Sequence, residues 1–248
     1  MKRPVAASIF IAFIALALPL GLGAQSAEEI VRKLEANQTH DTSRVEGRMI
    51  IHDRFGRRTS EFIMYSRGAD EALIEFTSAE EAGQKVLRTD DEIYLFYPDA
   101  SELIRLQGAA LRQSMLGSDV SYEDMTGNKG LLDTYEVTLE GQEDVDGRAC
   151  YVLDLEATSR DVAYPRQKLW VDAELFVMRE AEQYALSGRL LKVMEVEELM
   201  RQAGKVFPSH IVVRDQLKQN TRTEFIIETA EINVDLPPRI FSVEELTW

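Results

Sequence analysis

From Arg44 to Val234, apolar and polar positions alternate with a period of two, in short runs separated by turn formers. That pattern predicts antiparallel strands. The expected strands span 44–53, 58–67, 71–77, 85–89, 92–97 and 102–106, then 135–141, 149–156, 167–172, 176–184, 190–200, 205–215 and 221–234. Turns are expected at Phe55-Gly56-Arg57, Asp90-Asp91, Pro98-Asp99-Ala100 and Asp146-Gly147. Short strands at such regular spacing read as an antiparallel sandwich or barrel. A helix precedes them: Ser26 and Glu29 have capping-box spacing, and Ile30, Val31 and Leu34 form one apolar face. Leu236-Pro237-Pro238 stops the sheet, and 241–246 is expected to be a short helix that packs Phe241 and Leu246.

Two departures from simple alternation bear on function. The segment 107–131 interrupts the meander, with Leu111, Met115 and Leu116 near helical spacing and Gly117-Ser118-Asp119 as turn formers. A connection this long inside a domain is usually functional, and its apolar residues predict that it is ordered against something. Several strands are also apolar on both faces, among them Met49-Ile50-Ile51, Ile93-Tyr94-Leu95-Phe96-Tyr97, Val193-Met194 and Phe225-Ile226-Ile227. Both sides of that sheet must be covered. The inside of a barrel could supply one cover, either filled by side chains or leaving room for a ligand.

The first 24 residues read as an export signal. Lys2 and Arg3 precede an apolar stretch from Val5 to Leu22, and the chain turns polar after Ala24. Cleavage is expected near Ala24, leaving 25–248 as a single domain. The other reading is an uncleaved anchor, since about 18 apolar residues could just span a bilayer. No Cys follows the apolar run to take a lipid. The chain has 248 residues, 43 Asp+Glu, 28 Lys+Arg and a formal charge of −15. The acidic excess argues against nucleic acid as the partner. Cys150 is the single cysteine, set in a strand-like Ala-Cys-Tyr-Val-Leu run, which reads as a buried, inert thiol.

Catalytic patterns are missing. His40, His52 and His210 lack zinc-site spacing, and no nucleophile elbow or phosphate-cradling loop occurs. His40 and His210 are expected to be exposed. Ser118 and Asp119 read as turn residues, and Glu143 to Gly147 as a hairpin rather than a calcium loop. No catalytic residue, metal or cofactor is assigned, and the chain reads as a non-enzyme.

The export segment, opening helix, β-meander, mid-chain insertion and Pro-Pro/Phe ending together resemble the LolA/LolB-like outer-membrane lipoprotein-sorting family, in its larger uncharacterised branch. Two stretches carry the likeness: Leu111-Arg112-Gln113-Ser114-Met115-Leu116-Gly117-Ser118-Asp119-Val120-Ser121-Tyr122-Glu123-Asp124-Met125, and Lys168-Leu169-Trp170-Val171-Asp172 with Phe176-Val177-Met178-Arg179 and Ser187-Gly188-Arg189. The resemblance implies a mainly β chain with minor helix: a curved, incomplete antiparallel β-barrel with a helical lid over an apolar cavity. It implies a periplasmic carrier of lipid or lipoprotein acyl chains, with an inner-membrane transporter as donor and an outer-membrane acceptor as partners.

On that reading, alternate residues line the cavity: Met49, Ile51, Phe62, Met64, Tyr94 and Phe96, with Trp170, Phe176 and Met178. Leu111, Met115 and Leu116 form the lid. A one-residue slip would invert the face of any strand, and ordinary core packing accounts for the same residues. A filled barrel acting as an accessory subunit of a transporter or envelope complex is the other non-enzymatic reading. A secreted hydrolase is the enzymatic one.

Overall fold

The computed structural model describes residues 25–89, 92–126, 130–160 and 162–247. The expected export segment and the Asp90-Asp91 turn lie outside them. Helix α1 (Ala27–Gln38) opens the described chain. Ser26 Oγ accepts from the Glu29 amide at 3.2 Å, and the Glu29 carboxylate accepts from the Ser26 amide at 3.3 Å. This reciprocal cap is worth about 1 kcal/mol. Ile30, Val31 and Leu34 form the buried stripe, each contributing about 1.5–3 kcal/mol by leaving water.

Six strands follow: β1 (Thr42–Asp53), β2 (Gly56–Arg67), β3 (Glu71–Phe76), β4 (Lys85–Thr89), β5 (Glu92–Tyr97) and β6 (Glu102–Leu106). After an insertion holding short helices α2 (Tyr122–Thr126) and α3 (Leu131–Thr134), seven more run through β7 (Tyr135–Val145), β8 (Arg148–Ala157), β9 (Arg166–Asp172), β10 (Met178–Tyr184), β11 (Leu190–Gln202), β12 (Lys205–Asp215) and β13 (Arg222–Ile232). Each strand pairs with its sequence neighbour, except across the insertion. The two meanders are zipped together by β1 against β13, giving one 13-stranded antiparallel sheet among the described residues. It is curved and unclosed, as expected.

The topology explains the insertion. Edge strands β6 and β7 lie at opposite ends of the sheet but are consecutive in sequence. The segment joining them must cross the open side of the curve. Curvature is aided by register shifts, one at Gly47 on β1. A Cβ at Gly47 would sit 2.5 Å from the Ile226 carbonyl oxygen and 3.1 Å from the Phe62 ring, so only glycine fits there. At the β7–β8 hairpin Asp146 and Gly147 both take positive φ, 51° and 77°, as a two-residue turn of this kind requires.

The C-terminal segment lies on the convex face. Phe241 and Leu246, 4% and 1% exposed, pack on Leu73 and Leu87 together with Tyr94 and Phe96. The expected helix is a single 3-10 turn, Glu244–Thr247. No helix among the described residues is long and apolar enough to cross a membrane.

Candidate functional site

The concave face is filled from two sides. Over β7–β10, α1 packs Ile30, Val31 and Leu34 on Leu153, Leu155, Leu169 and Val171. Over β1–β6, the insertion presses Met115 and Tyr122 onto Met49, Ile51, Phe62, Ile74 and Phe76. A trough remains between the two covers. One cavity, of about 160 Å³, is walled by Phe62, Met64, Val120, Met194, Ile211 and Phe225. A second, of about 360 Å³, lies under α1 against Leu34, Leu169, Met178, Ala181 and Met194. Asp124 and Met194 line both, so the two adjoin.

The cover over the first cavity is latched by buried acids. Leu116 and Gly117 take left-handed backbone, φ 51° and 74°, and turn the chain so that Val120 accepts from the Met115 amide at 2.8 Å. Asp119, 2% exposed, follows this turn. Its carboxylate accepts from Thr221 Oγ1 at 2.7 Å and from Thr223 Oγ1 at 3.2 Å, and its amide donates to Thr223 Oγ1 at 2.9 Å. Lys218 Nζ stands 3.8 Å away and also donates to the Ser118 carbonyl. Arg58 donates to the Leu116 carbonyl at 2.9 Å.

The second latch is Asp124. It closes a reciprocal cap with Ser121, and it accepts from the Tyr164 hydroxyl at 2.9 Å and from Lys192 Nζ of β11. Burial, with the Asp124 charge beside it, pushes the Tyr164 hydroxyl well above the usual tyrosine range. Burial and then Asp124 likewise push the Glu123 carboxyl up. On the concave face Lys192 continues into a polar row, opposite Gln183 of β10, which is itself opposite Gln167 of β9.

The expected lining residues divide by face. Met49, Ile51, Phe62 and Met64 lie on the concave side in one cluster, with Met115, Leu111 and Leu116 over them. Met178 lines the larger cavity. Tyr94 and Phe96 lie on the opposite face, under the C-terminal segment, while Ile93 and Leu95 point inward. Trp170 is also on the convex side, packed with Cys150 and Val152, its Nε1 donating to Glu143 at 2.8 Å. Phe176 is not on a strand. It takes φ 51° in the Asp172 turn, stacks on Tyr151 at 6.3 Å, and carries Lys33 4.4 Å above its ring. It packs beside α1, and the trough is walled without it.

The sequence reading missed Val45, Val120, Met194, Ile211, Val213, Phe225 and Ile227 as wall residues, although β11 and β13 read as apolar on both faces. It missed the polar row altogether. Elsewhere, Cys150 is fully buried, and burial with the Asp172 charge pushes its thiol up to about 11. His52 and His210 share Glu224, at 2.8 and 3.2 Å, so His210 is held at the sheet surface rather than freely exposed. His40 packs edge-on to Phe207, and burial lowers its pKa. Ser118 Oγ, fully buried, donates to the Val120 carbonyl at 3.1 Å and serves the turn.

Comparison with solved structures shows the same fold. A DUF1329 family protein from Desulfovibrio piger superposes with a TM-score of 0.83 at 24% identity, covering 90% of this chain and 100% of that one. A putative outer membrane lipoprotein-sorting protein domain from Vibrio parahaemolyticus gives 0.82 at 19%, over 90% and 98%. A LolA superfamily protein from Nitrosomonas europaea gives 0.76 at 27%, over 90% and 100%. No curated protein matches significantly. A family model described as an uncharacterized protein matches residues 68–248. The chain therefore belongs to that family, and it shares the fold of a LolA superfamily protein.

Proposed function

We propose that this protein is a periplasmic carrier that takes up acyl chains of lipids or lipoproteins in the concave trough and moves them toward the outer membrane. The observation that carries the reading is the pair of adjoining cavities with largely apolar walls under a latched cover. Each buried CH₂ of a cargo chain is worth about 0.8 kcal/mol, so such a site needs no covalent chemistry. Its methionines, Met64, Met178 and Met194, are flexible enough to fit varied chains. The volume also constrains the mechanism. An apolar cavity of about 150 Å³ holds one benzene. The smaller cavity therefore admits only a short length of chain until the cover lifts.

Mass spectrometry of an organic extract from the mature protein, purified without detergent, tests the reading. Stoichiometric acylated molecules are expected. A clean extract, together with no binding of an added fluorescent fatty acid, would leave the accessory-subunit reading in its place.

The latch makes a separate prediction. Asp119→Ala removes two hydroxyl bonds and leaves the proton of the fully buried Thr223 hydroxyl without its acceptor. Bonds to a buried charge contribute about 2 kcal/mol each, so opening of the cover should rise by at least roughly thirtyfold. Hydrogen exchange in 107–126 should quicken while β8 and β9 stay protected, and fatty-acid uptake should speed up. Uniform loss of protection over the sheet would show that Asp119 holds the whole fold and not the cover alone.

A further inference from the structure

Gln167 and Gln183 face each other across β9 and β10 and both border the larger cavity. They are 3% and 5% exposed. Gln183 Nε2 donates to Gln167 Oε1 at 3.1 Å. That bond leaves Gln183 Oε1 at one end of the pair and Gln167 Nε2 at the other, both buried and without a hydrogen-bond partner. Turning both amides over reverses the bond, yet again leaves one acceptor at one end and one donor at the other. The inventory does not depend on how the amides are set. The Tyr135 hydroxyl cannot donate to the pair, because it donates to the Tyr164 carbonyl at 3.1 Å; its oxygen can take one N–H of the Gln167 amide, which leaves the second N–H of that amide free.

Buried polar atoms are ordinarily paired. Folding gives no reason for a glutamine pair here, since Leu169 and Ala181, next inward on the same strands and the same face, are apolar. A polar pair that is unmatched, at the edge of an apolar trough and beside the Lys192–Asp124 ion pair, is what a ligand's polar group would complete.

Resting on the carrier reading, we propose that the Gln167–Gln183 pair is a subsite for a secondary amide, so that the preferred cargo is an acyl chain joined through an amide bond rather than an ester. A trans secondary amide presents its C=O and N–H at opposite ends. Laid along the pair, it accepts from the free NH₂ and donates to the free carbonyl, while its chain runs over Ala181, Leu169 and Met194. An ester offers only acceptors and leaves the glutamine carbonyl unmatched.

The test uses two isosteres, N-palmitoylglycine and O-palmitoylglycolic acid, which differ in a single N–H. Each is titrated against a bound fluorescent fatty acid on the mature protein. The amide is expected to displace the probe at about tenfold lower concentration or less, as one to two hydrogen bonds predict. In the double variant Gln167→Met, Gln183→Met that preference should vanish while the ester still binds. Replacing both partners by apolar groups of similar shape is near neutral for folding, so this variant should melt at or above the wild-type temperature. Equal binding of the two isosteres, or a preference that survives in the variant, overturns the subsite and leaves the carrier reading intact. Failure of both isosteres to displace a bound probe also overturns the subsite, whereas failure of the fluorescent fatty acid itself to bind overturns the carrier reading. Displacement by an N-palmitoylated short peptide, or by a ceramide, supports the subsite and tells a protein cargo from a lipid one. Displacement by neither overturns it.

Discussion

Met64→Asp and Met178→Asp are each expected to abolish acyl-chain binding, with an affinity loss of at least about a hundredfold, while Leu186→Asp binds like the wild type. Met64 stands with Phe62 and Phe225 in the wall of the smaller cavity, and Met178 with Leu169 and Met194 in the larger. A carboxylate there either stays charged, at a cost of several kcal/mol, or takes up a proton and a hydrating water. Both outcomes put a polar group where the chain would be held only by exclusion from water. A hundredfold corresponds to about 2.7 kcal/mol, the worth of three or four buried CH₂ groups, so the estimate is conservative. Leu186 is 81% exposed in the β10–β11 turn and controls for added charge. Met64→Leu keeps the volume class and should bind within about threefold. Fluorescent fatty-acid titration is the readout, with thermal melts to confirm folding. Loss in one variant alone would show that the chain occupies one cavity. Normal binding in both would remove the concave face as its seat.

Why Met49, Phe62 and Met64 could be placed from sequence, and Tyr94, Phe96 and Trp170 could not, is a matter of alternation. Phe62 and Met64 flank Ile63 and follow Glu61; Met49 follows Arg48. A polar neighbour marks the outer face. In β5 and β9 the runs Ile93-Tyr94-Leu95-Phe96 and Leu169-Trp170-Val171 hold no polar residue, because both faces are covered. The period fixes that these are strands but not which side is inside. The outer cover of β5 is the C-terminal segment, a tertiary contact that no local pattern announces.

Strand positions were legible almost to the residue. Four of them, β4, β5, β6 and β12, have the expected limits. The differences have local causes. β7 runs on to Val145 because the chain bulges at Gly141, φ 148°, and resumes pairing. β10 starts at Met178 because Phe176 is spent in a turn. The polar part of the site was illegible for a different reason. Gln167 lies between Arg166 and Lys168 and Gln183 follows Glu182, so alternation marks no inner face there, while Lys192 sits between Leu191 and Val193 as an outward-facing residue would. Only the register, Lys192 against Gln183 and Gln183 against Gln167, reveals that they share the concave side.

Asp172→Ala is expected to cost about 3–5 kcal/mol, the range for breaking a buried charge pair. Asp172 is 1% exposed at the end of β9. Its carboxylate accepts from Arg148 Nε at 3.1 Å and Arg179 Nη2 at 2.9 Å, and from the amides of Glu174 and Leu175 at 3.0 and 2.9 Å. Burial alone would raise its pKa; these four donors outweigh it and hold the group at about 2, against 3.8 for a free aspartate. A folded pKa below the unfolded one means that ionised Asp172 stabilises the fold above pH 3.8. That contribution, about 2 kcal/mol, drains away as pH falls through about 2. Urea melts across this window should show it. Asp172→Asn, which keeps the shape and cannot titrate, should flatten the acid limb of the stability curve. Glu224 should supply part of what remains: burial opposes its ionisation, but the His52 bond, Arg222 and the His210 bond outweigh burial and lower its pKa. An unchanged acid limb in Asp172→Asn would sink this assignment. The same turn supports the candidate site from behind. The Leu175 and Phe176 carbonyls accept from Asn37 Nδ2 at 2.8 and 3.0 Å, which fixes the C-terminal end of α1 over the larger cavity. Loosening Asp172 should therefore weaken chain binding as well as the fold, and at pH 7 the binding loss should be partly rescued in Asp172→Asn but not in Asp172→Ala.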